Sequence, residues 1–268
     1  MRKASCIVLA VSLLAAAASA QQTSPTAETV TVRTLTLTAT DKPTADWQSF
    51  TASLQGNSFT LEELQDRIQQ KLRDNGYYFA HLETPQLANV RPEGAKRSAD
   101  VAVQFDAGDQ YTMGQIIFKH TSQFKKEKLR SAFPIIAGSV FNGSAIATGL
   151  EKVKALYEAE GFADVGAVPS MAVDEKAKVI DVSVEVEEGY PYLFGQLSIE
   201  GAEPTPGTSK ALLAGWSEVA GKRYNPETLK KWLGAHAPKS APGAPTIHPH
   251  AEGIADTEAH LMNVRLVY

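Results

Sequence analysis

Residues 179–187 alternate between apolar and polar side chains with almost no interruption. Ile180, Val182, Val184 and Val186 fall on one face and Asp181, Ser183, Glu185 and Glu187 on the other, which predicts a strand with one buried face. Upstream, Ile146, Leu150, Val153 and Tyr157 recur at helical spacing. Asn142 is placed to cap that helix and Gly161 to stop it. Before them, 114–120 alternates as a strand, 124–133 reads as a short helix ended by Gly138, and 162–171 reads as a further strand. The predicted order is β-α-α-β-β.

The order recurs on both sides. Upstream, Thr60-Leu61-Glu62-Glu63 is a capping box that opens a helix carrying Leu61, Leu64, Ile68 and Leu72. Val101, Val103 and Phe105 then lie opposite Asp100, Gln104 and Asp106 in a closing strand. Downstream, Asn225-Pro226 supplies a cap followed by proline at the first helical position, and Met262, Val264, Leu266 and Tyr268 share one face of a last strand. Two motifs repeat with the same period. Gly108 to Ile116 and Gly189 to Leu197 both read G-x-x-Y-x-x-G-Q-[I/L], 81 residues apart, and G-x-x-[F/Y]-[T/N] starts at Gly56, Gly138 and Gly221. The sequence therefore predicts an α+β chain of three tandem β-α-α-β-β modules at 28–108, 109–190 and 191–268. Each is expected to be a three-stranded mixed sheet covered on one face by two helices.

The middle unit resembles the polypeptide-transport-associated (POTRA) family. The residues that carry the resemblance are Tyr111, Gly114, Ile116, Leu129, Arg130, Gly138, Phe141, Leu156, Tyr157, Gly161, Phe162, Glu188 and Gly189. It is partial in the first unit, through Gly76, Tyr77 and Gly108, and in the third, through Gly195, Gly221 and Tyr224. Family members commonly carry such modules in the periplasm ahead of an outer-membrane β-barrel. The residues ending at Tyr268 leave no length for a barrel, so an adaptor is expected here and not a channel. The resemblance implies a periplasmic, non-enzymatic scaffold, associated with the outer membrane, that serves outer-membrane protein assembly or secretion. Its partners would be unfolded or extended polypeptide segments and components of those machines. The alternatives are a structural part of another envelope complex, such as a division complex, and a metal-binding protein that uses His248 and His250.

An exposed edge strand offers unpaired N–H and C=O groups to an incoming segment. By the resemblance the second strand of each unit is that edge, which places it at 77–84, 163–171 and 246–252. Tyr77, Tyr78, Phe79, His81, Ala163 and Val165 are the candidate polypeptide-binding residues. Pro169 and Pro249 act against pairing, because proline has no N–H. The inter-module joints are expected at Gly108, Tyr111 and Gly114 and at Gly189, Tyr192 and Gly195. Gly108 and Gly189 would supply turns with positive φ, Gly114 and Gly195 a close approach of helix and strand, and the tyrosines the packing.

Charge and composition narrow the function classes. The 268-residue chain has a formal net charge of −4 and no basic block, so a nucleic-acid partner is not expected. Arg2 and Lys3, the apolar stretch that follows and Ala18-Ser19-Ala20 read as a signal peptide over 1–20, with a linker over 21–27. Cys6, the one cysteine, lies inside that segment, which leaves no thiol chemistry for the remainder. His248-Pro249-His250 could present two imidazoles to a metal, but the Pro- and Ala-rich segment before it holds no carboxylate at ligand spacing, and no metal or cofactor is expected. No hydrolase, P-loop or dinucleotide motif is present.

Overall fold

The computed structural model describes residues 29–40, 46–94, 96–202, 206–236 and 249–268. The expected signal peptide, His248 and the start of the expected third edge lie outside them. No helix among the described residues is long and apolar enough to cross a membrane.

Three mixed sheets follow one another along the chain. The first module comprises β1 (Val30–Ala39), α1 (Trp47–Leu54), β2 (Ser58–Phe59), α2 (Leu61–Asp74), β3 (His81–Leu82), β4 (Gln86–Glu93) and β5 (Lys96–Asp106). The second has β6 (Thr112–Lys119), α3 (Lys126–Arg130), α4 (Gly143–Glu158), β7 (Gly166–Asp174) and β8 (Val179–Glu187). The third has β9 (Leu193–Glu200), α5 (Thr208–Gly215), a 3-10 turn at Trp216–Glu218, α6 (Pro226–His236), β10 (His250–Asp256) and β11 (Leu261–Val267). In each module the last strand lies in the middle. It pairs in parallel with the first strand, at β1–β5, β6–β8 and β9–β11. On its other side it pairs antiparallel with β4, β7 and β10 respectively. The first sheet departs from the expected three strands, because the two-residue strands β2 and β3 extend it to five. β2 is the loop before α2 laid against β1, and it has one-residue counterparts where Val140 meets Thr112 and Arg223 meets Leu193.

Each sheet buries one face under its own helices. In the second module Ile180, Val182, Val184 and Val186 meet Ile146, Val153 and Tyr157 of α4. α4 is held at its start by Asn142, whose Oδ1 accepts the Ala145 N–H at 2.7 Å. The expected helix over 124–133 shrinks to α3, since Leu129 alone of its five residues reaches the core, and Pro134 follows closely. In the first module the capping box of Thr60 and Glu63 is complete, and Leu64, Ile68 and Leu72 cover Val101, Val103 and Phe105. In the third, Trp216 and Trp232 pack edge to face at 5.0 Å over Phe194 and Val264.

A latch closes the second module where β8 ends. The Glu188 carboxylate accepts from the backbone N–H groups of Ser122 and Gln123 at 2.7 and 2.9 Å, from the Ser122 hydroxyl, and from the Tyr157 hydroxyl at 2.7 Å. Partial burial alone would raise its pKa. The four donors prevail and bring it down to about 2. Burial, together with the same contact to Glu188, pushes the Tyr157 hydroxyl well above the usual phenol range.

Candidate functional site: module joints and sheet edges

The joint between the first two modules is built from the end of α2 and the start of β6. Gly76 turns the chain out of α2 with φ 82°, and its carbonyl accepts the Tyr111 N–H at 2.9 Å. The Tyr111 carbonyl in turn accepts the Phe141 N–H at 2.9 Å. Asn142 acts twice. Its Oδ1 caps α4, while its Nδ2 donates to the Asp74 carbonyl at the end of α2, at 3.0 Å. The Asp74 carboxylate also accepts the Ser144 N–H and hydroxyl, both at 2.8 Å. One helix therefore ends on the donors that begin the next.

The second joint repeats these bonds. Gly161 leaves α4 with φ 87°, its carbonyl accepts the Tyr192 N–H at 2.8 Å, and the Tyr192 carbonyl accepts the Tyr224 N–H at 2.8 Å. Asn225 Oδ1 takes the Thr228 N–H at 3.0 Å, and its Nδ2 donates to the Ala159 carbonyl at 2.8 Å. The Tyr192 hydroxyl donates to the Asp164 carboxylate, which raises the tyrosine pKa to about 12, with burial acting in the same direction. Tyr111 and Tyr192 are both buried at these joints. Gly108 and Gly189 have φ values of 62° and 63°.

Gly114 and Gly195 act differently from expectation. They bring strand to strand, not helix to strand. Each sits at a bulge in its module's first strand, between Met113 and Ile116 and between Phe194 and Leu197. There the Gln115 N–H reaches Asp181 Oδ1 at 2.6 Å, and the Gln196 N–H reaches Asn263 Oδ1 at 2.8 Å. A Cβ on Gly114 would lie 2.0 Å from that Asp181 oxygen, and one on Gly195 2.3 Å from Asn263 Oδ1. The first module bulges at Arg33, and Asp100 takes the equivalent place, bound by Thr34, Asn89 and Arg33.

The candidate binding residues spread over three environments. Tyr77 is buried in the first core, and Val165 in the second. Neither can face a client, because each helps to cover its own sheet. Tyr78 packs into the second module's core, its ring 5.7 Å edge-on from Phe141. Phe79 is 55% exposed but lies in a turn, its ring 5.6 Å from Tyr111. The run 77–79 is thus part of the joint and not of an edge strand. His81 lies in β3 at the edge of the first sheet. Ala163 lies in the turn after α4 and lines a pocket against the third module.

The edge strands are β4, β7 and β10. In β4 the register shifts between Ala88 and Arg91, Asn89 has φ 50°, and Pro92 removes a donor. Such features protect an edge from casual pairing. β7 keeps a continuous register over all nine residues with Pro169 as its one interruption, and it exposes Val168 and Met171. β10 has a continuous register, no proline within it, and an exposed Ile254. Among the described residues no group of three or more His, Cys, Asp or Glu side chains is placed to hold a metal ion.

Residues 111–189 match the family model POTRA, described as a surface antigen variable number repeat. That match covers the second module, and in fold the three modules together are similar to a tandem array of POTRA domains. Among solved structures, POTRA domains 3–5 of BamA from Haemophilus influenzae superpose with a TM-score of 0.60 at 15% identity, over 88% of this chain and 95% of that one. The N-terminal domain of Omp85 from Thermosynechococcus elongatus is similar over 89% of this chain and 96% of its own, at 15% identity and a TM-score of 0.31. POTRA domains 1–3 of the periplasmic domain of Omp85 from Anabaena give 13% identity, 90% and 96% coverage and a TM-score of 0.32. No curated protein matches the chain.

Proposed function

We propose that this chain is a periplasmic, non-enzymatic scaffold for outer-membrane protein assembly or secretion, and that it binds extended polypeptide segments by adding a strand to β7 and β10. The observation that carries the reading is the repeated sheet order, which leaves the strand after the helices without an outer neighbour among the described residues. Backbone groups along such an edge bond to any extended segment, so selectivity for sequence is low and many clients are served. The interrupted edge of β4 turns clients away from the first module and toward the second and third. The fold shared with tandem POTRA domains supports the reading.

The test is site-specific photo-crosslinking in the purified chain. Probes at Val168 on β7 and Ile254 on β10 are expected to capture an outer-membrane β-barrel precursor diluted from urea. A probe at Glu151, on the exposed face of α4, is expected to capture far less. Capture at Glu151 with none at either edge would overturn the strand-addition mechanism.

A further inference from the structure

A pocket of about 340 Å³ opens where the second module meets the edge of the third. Glu158 at the end of α4 and Ala163 in the following turn form one wall; Tyr224, Pro226, Gly253 and Met262 form the other. Gly253 lies in the middle of β10, opposite Val264 of β11. Glycine inside a strand gives up packing and leaves a gap where a neighbouring chain can approach. A Cβ there would come within 3.0 Å of Met262 Sδ and 3.8 Å of the Tyr224 hydroxyl, so the missing side chain is part of what keeps the pocket open.

The chemistry of the lining selects an occupant. Met262, Pro226 and Ala163 offer an apolar channel, while Glu158 and the Tyr224 hydroxyl place oxygen atoms around it. The neighbouring acids are engaged elsewhere, Glu160 by Arg223 at 3.6 Å and Asp164 by the Tyr192 hydroxyl. Glu158 forms no ion pair among the described residues, not even with Lys154 one turn earlier on its own helix. Burial and the nearby Glu158 both raise the Tyr224 pKa, so the hydroxyl stands in the pocket as a neutral hydrogen-bonding group. An apolar side chain entering here would strip water from a carboxylate and return no bond to it. A side chain with an aliphatic stem and a cationic head satisfies both parts.

The geometry points to a specificity pocket for one arginine or lysine of a strand paired with β10, held by Glu158 of the second module and Tyr224 of the third. The inference rests on the strand-addition reading and deepens it, since the residue opposite Gly253 on the helix-facing side of an added strand points into the gap that the glycine leaves. Most of the client would be bound without regard to sequence, with one basic position setting its register. Because the walls come from two modules, an occupied pocket also ties them together.

The probes are two fluorescent, terminally blocked peptides, Thr-Val-Thr-X-Thr-Val-Thr, with arginine at X in one and its uncharged isostere citrulline in the other. Binding to the full chain is followed by anisotropy, and strand addition by hydrogen exchange of the β10 amides. The arginine peptide is expected to bind roughly fivefold more tightly, as a half-exposed charge-assisted bond allows. Glu158→Gln should bring that ratio close to one while leaving the citrulline peptide unaffected, and Gly253→Val should weaken the arginine peptide. Equal affinities with β10 protected would overturn the pocket and leave strand addition standing. A preference for arginine that survives in Glu158→Gln would overturn the role of Glu158. No protection of β10 by either peptide would overturn strand addition itself, and the pocket with it.

Discussion

The Tyr111 N–H donates to the Gly76 carbonyl at 2.9 Å, and this bond crosses from the second module to the first. Gly76 presents that carbonyl only because φ 82° turns the chain sharply out of α2. A Cβ at this position would meet the Tyr111 carbonyl oxygen at 2.7 Å and Val140 Cγ1 at 2.9 Å. Gly76→Ala is therefore expected to cost about 2 kcal/mol, from backbone strain and from the clash together. Urea unfolding measures the loss, and small-angle scattering should show a more extended array. The same change at Gly56, whose Cβ meets nothing within 4 Å, should cost only the strain of its φ.

Asn142 and Asn225 each cap a helix and hold the preceding module. Asn142→Ala should lose about 1–2 kcal/mol through the cap, plus the bond to Asp74. Asn142→Asp keeps the acceptor and discards the amide donor, so it isolates the joint. It should leave α4 intact by circular dichroism while speeding amide exchange at Tyr111.

Glu188 links stability to pH. Its carboxyl titrates near 2 in the folded chain and at the ordinary value of 4.5 when unfolded. A depressed folded pKa stabilises the protein fully above the unfolded value, and the contribution is lost as pH falls from about 5 toward 2. After discounting for solvent screening, the effect is expected to be about 1–2 kcal/mol. Urea midpoints at pH 7 and pH 3 should differ less in Glu188→Gln than in the parent chain. Tyr157→Phe, which removes one of the four donors, should shift the acid transition upward in pH.

The bulges make a further prediction. Gly195→Ala would drive a Cβ against Asn263 and sever the bond from the Gln196 N–H. A loss of about 2–3 kcal/mol is expected, confined to the third module. Hydrogen exchange should show β9 and β11 opening while β6 and β8 stay protected.

Much of the fold is legible in the sequence because its signals are local. The alternation over 179–187 is β8, bound for bound, and the capping box at Thr60 opens α2. The aromatics at 77–79 mislead because three neighbouring rings look like a strand. Their fates are decided by what lies far along the chain, since Tyr78 finds Phe141 and Phe79 finds Tyr111. β4 escapes a reading by period because the register shift after Ala88 breaks its alternation. The reason for Gly114 is hidden as well, since Asp181, which needs the space, comes 67 residues later. The pocket at Gly253 had one local sign, a glycine within a strand, but its acidic wall belongs to another module.

The doubled use of Asn142 and Asn225 couples the folding of a module to its docking at each joint. The amide that settles a module's own helix also holds the end of the helix before it, and this second bond is complete only when both modules are folded. In statistical terms the array is a line of units with a favourable coupling between nearest neighbours. Unfolding one end unit withdraws that coupling from the adjacent unit alone. The middle module, coupled on both sides, should be the last to exchange its amides and the place from which the array refolds.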